Sequence, residues 1–276
     1  MTGMVVLILG GGDLASGVAW RLPRAGLKIC ITELPQPLAV RRLVSFAEAV
    51  LSGSITVEGV TARRAEDPGQ VLEILGHGEI PVLADPQANI LHQAFLTRNF
   101  TREVLVDGRM TKKTPEIGLR AANLVIGLGP GFVAGENCHA VIETNRGSGL
   151  GRVLWQGAAE DDTGVPEAVA QRRLDRVLRA PAEGYVQPYV EIGAHLEVGQ
   201  PIAEVAGTPL VAPFQGVLRG LISPKVRVWP GLKIGDIDPR DNPRLCTQIS
   251  DKALAVGGGV LEAILTRQEL RPFLWE

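Results

Sequence analysis

Residues 1–33, MTGMVVLILGGGDLASGVAWRLPRAGLKICITE, decide how the chain is read. Met4 to Leu9 is an apolar run with the length and β-branched content of a buried strand. Gly10, Gly11 and Gly12 follow at once, and Leu14 to Leu22 then reads as an amphipathic helix. A second apolar run, Leu27 to Thr32, ends in an acid, Glu33. Strand, tight turn, helix, strand and acid is the order of a dinucleotide-binding βαβ unit.

Each part of that unit has a physical task. Gly10 permits the sharp turn, and Gly12 lets backbone approach a pyrophosphate without a Cβ in the way. The third fingerprint position is Ala15, with Gly17 available for close helix packing. The turn Gly10 to Gly12 with Asp13, Leu14 and Ala15 is therefore the expected phosphate cradle, at the positive end of a helix dipole. Glu33, twenty-one residues beyond Gly12, is placed to accept hydrogen bonds from a ribose diol. Arg41 and Arg42 are close enough in sequence to clamp an anion or meet a 2′-phosphate, or else to form a solvated helix face over Leu38 to Leu51.

The pattern of that unit continues. SITVEGVTARRAED reads as a strand or hairpin and VLEILGHG as a helix. Strand-like runs at Ile80 to Ala84, Glu103 to Val106 and Leu124 to Ile126 end at Asp85, at Asp107 and at Gly127. Alternating strands and helices predict an α/β, Rossmann-like, doubly wound parallel sheet, in which ligands sit outside the carboxyl ends of the strands. Asp85, Asp107, Lys112 and the glycines of GLGPGF (Gly127, Gly129, Gly131) are expected at that mouth, although an Asp before Pro or Gly is equally a turn former. Arg109 and Lys113 complete a basic triplet around Lys112, a phosphate grip or a wet helix start. Cys138 and His139 adjoin, yet fit neither a metal pattern nor a nucleophile–base pair, so no metal site is expected.

Residues 180–238 carry an internal repeat. Ala180-Pro181, Gly184 and Val186 recur thirty-two residues on as Ala212-Pro213, Gly216 and Leu218, and Ile202 recurs as Ile234. Two β half-motifs resemble the barrel-sandwich of biotinyl and lipoyl domains, but the hairpin AGTPLV, Ala206 to Val211, has no lysine for a covalent arm. No biotin or lipoate is expected, and the module reads as structural or as a docking surface. The division is then 1–152, a nucleotide-binding domain; 153–179, a charged connector; 180–238, the β module; and 239–276, a helical segment packed on the N-terminal domain. Within that last segment Gly257, Gly258 and Gly259 should each cost a helix about 1 kcal/mol relative to alanine. Either a backbone or a ligand packs closely there, or the helix breaks in two.

The 276 residues bear a net charge of −2, with 45% hydrophobic and 21% charged residues. The pI of 6.1 gives no footprint for nucleic acid, and no apolar run approaches the ~20 residues of a membrane span. Cys30, Cys138 and Cys246 are scattered, which fits reduced thiols in the cytoplasm.

The stretches VVLILGGGDLASGVAWRL, ELPQPLAVRRLVSFAEAV, VEGV, VIETNRG, GLKIGDIDPR and ISDKALAVGGGVLEAIL together resemble the YqeB-type accessory proteins of the selenium-dependent molybdenum hydroxylase system. That resemblance, which runs over nearly the whole chain, implies a maturation factor. Such a factor binds a nucleotide or molybdopterin-nucleotide cofactor and meets an apo-molybdenum hydroxylase or other maturation proteins. Where the family tends to have a histidine after Asn-Arg-Gly, this chain has Ser148. The competing reading is an NAD(P)-dependent oxidoreductase, which needs a proton donor or acceptor; His92, Lys112 and His139 are the candidates, without a recognised constellation around them. A structural adaptor is a third reading, against which the intact glycine turn and Glu33 count. Catalytic residues are not assigned from the sequence, and neither is a homo-oligomeric state.

Overall fold

The computed structural model describes residues 3–92, 100, 102–111, 113–162 and 175–274. Its centre is a nine-stranded sheet. β1 (Met4–Leu9) lies between β2 (Lys28–Glu33) and β6 (Arg102–Asp107). Beyond β2 come β5 (Ile80–Ala84), β4 (Val60–Ala65) and β3 (Ser54–Val57), and beyond β6 come β7 (Leu124–Leu128), β9 (Ala140–Ile142) and β10 (Val153–Leu154). Seven strands are mutually parallel, while β3 and β10 are antiparallel edges. β1 is buried along its whole length, as expected of a strand covered on both faces.

Alternation along β1 sends Val6 and Ile8 to one face and Val5, Leu7 and Leu9 to the other. The first face is covered by α1 (Asp13–Arg24) and by α4 (Asp251–Thr266), which pack against each other. The second is covered, among the described residues, by the seven-residue α3 (Gln70–Gly76), the 3-10 turn Asn89–His92 and side chains such as Phe100 and Phe132. α2 (Ala49–Ser52) is a single turn.

This corrects the expected fold class. The Rossmann-like doubly wound architecture calls for a layer of helices on each face of a parallel sheet. The described residues instead hold far more strand than helix, with a mixed sheet and few helices. The two long ones among the described residues lie together on one face. Local periodicity was a poor guide here because a buried apolar run of strand reads the same whatever layer covers it. The helix expected over Leu38 to Leu51 is also replaced. Arg42–Val44 and Phe46–Glu48 are 3-10 turns, and only Ala49–Ser52 is α-helical.

β8 (Val133–Ala134) and β11 (Gly157–Ala158) make a small separate ribbon. The stretch 163–174, read as part of a helix-like connector, lies outside the described residues. From residue 177 the chain forms two four-stranded sheets. One has the order β12 (Val177–Arg179), β19 (Lys233–Asp238), β17 (Gly216–Leu221), β14 (His195–Leu196). The other runs β16 (Thr208–Val211), β15 (Pro201–Val205), β13 (Gly184–Pro188), β18 (Arg227–Val228). They share a core of their own, including Ala180, Val186, Ile202, Ala212, Leu218 and Ile234, which contains both members of three repeat pairs.

α4 runs unbroken through its three glycines. A Cβ on Gly257 would stand 2.6 Å from the Gly17 carbonyl oxygen, one on Gly17 would stand 2.3 Å from that of Ala253, and one on Gly259 would stand 2.2 Å from that of Gly151. Backbone against backbone is therefore what these glycines permit. Gly258 meets nothing within 4 Å.

Candidate functional site at the carboxyl edge of the sheet

Strand register assembles the edge. Leu9 pairs with Thr32 and with Asp107, Asp107 pairs with Gly127, and Glu33 pairs with Ala84. Glu33, Asp85, Asp107 and Gly127 thus reach the same edge as the turn Gly10 to Gly12, which leads into α1.

The three glycines of that turn differ in kind. Gly10 has φ +84°, and Arg109 backbone crosses it so closely that a Cβ would meet Arg109 Cα at 3.2 Å. Gly11 is crowded by Ala47, whose N–H donates to the Gly11 carbonyl at 2.9 Å. Both are explained by the protein itself. Gly12 has φ −70°, open to any residue, and its missing Cβ would touch nothing within 4 Å. It is the N-cap of α1, and no side chain caps that helix. The first-turn N–H groups thus lack both an intrahelical partner and a side-chain cap.

Glu33 does not wait for a ligand. Its carboxylate accepts from Gly11 N–H at 2.6 Å and from Leu34 N–H at 2.7 Å, one to each oxygen. Burial raises its pKa above the ordinary carboxyl value, against the two backbone donors that lower it. Asp13 opens α1 and takes a hydrogen bond from Arg41 Nη1 at 2.8 Å. Leu14 is partly buried against the core, and Ala15 is buried beside Gly108, where a Cβ would come within 2.9 Å of it.

The arginines are committed to protein. Arg41, its side chain 6% exposed, also donates through Nη2 to the carbonyls of Leu245 and Gln248. Arg42 donates to Leu221 O at 3.2 Å and lies 3.8 Å from Glu48. Neither forms the expected anion clamp over the turn, because both reach towards the C-terminal third of the chain.

Asp85 accepts from Asn89 Nδ2 and Ile90 N–H, folding the chain after β5. Asp107 is buried and grips Arg109 with both oxygens, at 3.0 and 2.6 Å. The loop glycines make room for protein groups: a Cβ on Gly127 would strike Phe132, one on Gly129 the Thr144 hydroxyl, and one on Gly131 the Lys113 carbonyl. Lys112 lies outside the described residues, as does the side chain of His92. His139 is at the opposite edge, where its Nδ1 accepts from Val125 N–H at 2.9 Å. Among the described residues no group of three His, Cys, Asp or Glu side chains could hold a metal ion.

Two arrangements escaped the sequence reading. Asp238 and Arg240 repeat the Asp107–Arg109 hook, with the same one-residue spacing at a strand end and a closest approach of 2.6 Å. The Asp-x-Arg spacing could have signalled both. Arg219, Asp236 and Asp238 come together with Asp13 and Arg41 across the junction between the β module and α1, a meeting that no local spacing foretells.

The chain is 44% identical over 263 residues to the uncharacterized protein YqeB of Escherichia coli strain K12. The match takes in 95% of this chain and 47% of that protein, so the chain spans about half the length of the curated relative it matches. No family model matches. Among solved structures it is similar to a succinylglutamate desuccinylase/aspartoacylase from Rhodobacter sphaeroides, at 15% identity over 86% of this chain and 85% of that one, with a TM-score of 0.24. At this score the likeness carries no argument. No described helix is long and apolar enough to cross a membrane.

Proposed function

We propose that this chain binds a nucleotide-bearing cofactor by laying a phosphate group on the open first turn of α1. In this reading it serves as an accessory factor in the maturation of selenium-dependent molybdenum hydroxylases. The observation that carries the binding is Gly12. Its neighbours need glycine for the protein's own packing, whereas Gly12 needs it for nothing within 4 Å. A helix N-terminus without a side-chain cap, beside a residue whose Cβ is dispensable to the fold, suits a close-lying phosphate. Asp13 next to that position would repel an anion, and Arg41 offsets its charge.

The pathway rests on the resemblance of several stretches to the YqeB-type accessory proteins, together with the 44% identity to YqeB. The cofactor is then a pterin nucleotide such as molybdopterin dinucleotide, and the partner an apo-hydroxylase or another maturation protein. The chain's own part is to bind and orient that cofactor. An NAD(P) oxidoreductase gains nothing from His139, which lies at the wrong edge with Nδ1 already engaged.

The test is calorimetric titration of the whole chain with NAD, NADP, ATP, CTP and isolated molybdopterin dinucleotide, each repeated on Gly12→Val. Valine at an open position with φ −70° leaves the fold intact while filling the space before the helix. Selective binding of the pterin nucleotide, lost in the variant, is the expected result. Tight NAD binding with no response to the pterin would replace this reading with the dehydrogenase, and no binding at all would end both.

A further inference from the structure

Among the described residues, the junction between the β module and the start of α1 holds more positive charge than its carboxylates balance. Three acids face it, and each has its own close cation. Asp13 takes Arg41 at 2.8 Å, Asp238 takes Arg240 at 2.6 Å, and Asp236 is bound by Arg176. Arg219 and Lys233 remain.

Arg219 stands 3.6 Å from Asp236 and 3.7 Å from Asp238, ion-pair distances too long for hydrogen bonds. Its side chain is only 14% exposed, yet none of its five donors makes a hydrogen bond among the described residues. Nε is sealed from solvent and unpartnered, and so is Nε of Arg41, whose side chain is 94% buried. The two guanidinium groups are near enough for Arg41 to depress the pKa of Arg219, after the larger effect of burial. Arg219 is also the bulged residue of β17, at the break in register between Leu218 and Gly220, and such a bulge redirects a side chain. Lys233, at the start of neighbouring β19, makes no ion pair or hydrogen bond among the described residues. It keeps much of its surface in solvent. Even so, desolvation by its surroundings, joined by the repulsion of Arg176 and Arg219, lowers its pKa against the pull of Asp236 and Asp13.

Buried charged donors are almost always partnered, because leaving one unmade costs its full desolvation. Like-charged guanidinium groups brought together inside a protein add to that cost. We propose that this junction is an anion site, in which Arg219 and Lys233, backed by Arg41, bind a phosphate group. A tetrahedral phosphate offers several acceptor oxygens at once, which matches donors on two strands and a planar guanidinium better than a single carboxylate would. The phosphate would come either from inorganic phosphate or pyrophosphate, or from a nucleotide. The inference stands apart from the glycine turn, since it uses none of the first-turn N–H groups of α1.

The test is titration of the whole chain at low salt with inorganic phosphate, pyrophosphate and CTP. The variants are Arg219→Gln, Arg219→Lys, Lys233→Gln and Gly12→Val. Saturable binding of at least one probe is expected, weakened about tenfold by Lys233→Gln and by Arg219→Gln and less by Arg219→Lys, in line with the strength of charge-assisted bonds. Pyrophosphate binding should survive Gly12→Val, which separates this site from the one before α1. CTP binding that falls in Lys233→Gln, with no binding of the inorganic anions, assigns the phosphate to a nucleotide and upholds the site. If Arg219→Gln does not melt cooperatively, the exposed Lys233→Gln decides. No binding by wild type at millimolar concentrations, or unchanged affinity in Lys233→Gln, overturns the proposal.

Discussion

Glu33 is a side chain whose place is legible in the sequence and whose partners within the protein are not. Its position at the end of β2 could be read from the run Leu27 to Thr32 and the acid that closes it. The hydrogen bond it accepts from Gly11 could not, because it depends on how a turn twenty-two residues away presents its N–H groups. Glu33→Gln replaces one acceptor oxygen with an amide that cannot receive an N–H, and should cost about 1–3 kcal/mol in urea unfolding. The comparison also has a sign in pH. A carboxyl whose folded pKa is raised adds stability that is complete below its unfolded pKa and lost as pH rises through the folded one. The advantage of wild type over Glu33→Gln should therefore shrink from acid towards neutral pH. An advantage that grows instead would mean that the carboxylate, not the acid, is the form the site favours.

The cysteines give a second prediction at this scale. All three are buried; burial pushes the Cys30 thiol up to about 12, with Asp85 adding to it, and Cys138 up to about 11. Thiolate is the reactive form. Ellman's reagent at mildly alkaline pH should find no fast thiol in the native protein and three in denaturant. A fast native thiol would show that one of these positions opens.

Among elements, the contact of α1 with α4 repays close reading. The sequence offered close packing or a broken helix for Gly257 to Gly259, and local propensity alone could not choose. A carbonyl from another segment settled it, and that carbonyl belongs to a residue about 240 positions earlier. Gly257→Ala must push two backbones apart and should destabilise by about 1–3 kcal/mol. Gly258→Ala, one residue along and open to solvent, should stabilise by up to about 1 kcal/mol. Thermal melts of the two variants should shift in opposite directions; a shared direction would mean that the helix does not cross as described.

At the scale of the whole molecule, single strands were legible and their assembly was not. Met4–Leu9 and Ile80–Ala84 form where their apolar runs stand. The covering layers depend on contacts between distant segments. Residues 245–249 are drawn to the first third of the chain by Arg41, through two carbonyls, and by Glu58, whose carboxylate takes the Ile249 N–H at 2.6 Å. Arg41 read as an anion clamp or as part of a solvated helix face from its neighbours in sequence; three dimensions make it a bolt. Arg41→Leu would strand Asp13 and two carbonyls, at a cost of about 2–4 kcal/mol, less than a fully buried pair because Asp13 is partly exposed. Chemical denaturation measures it, and a change within error would show that the junction holds without that arginine.

The Gly17–Gly257 crossing also sets a timetable for synthesis. Val6, Ile8 and Val18 leave the ribosome long before Val256 and Val260, which share their core cluster. Until residues 251–266 are translated, that half of the sheet has an apolar flank with no cover, and nascent chains in such a condition are prone to stick to one another. A chain interrupted before residue 251 should thus collect in aggregates or with chaperones, even though every strand of the central sheet has already been made.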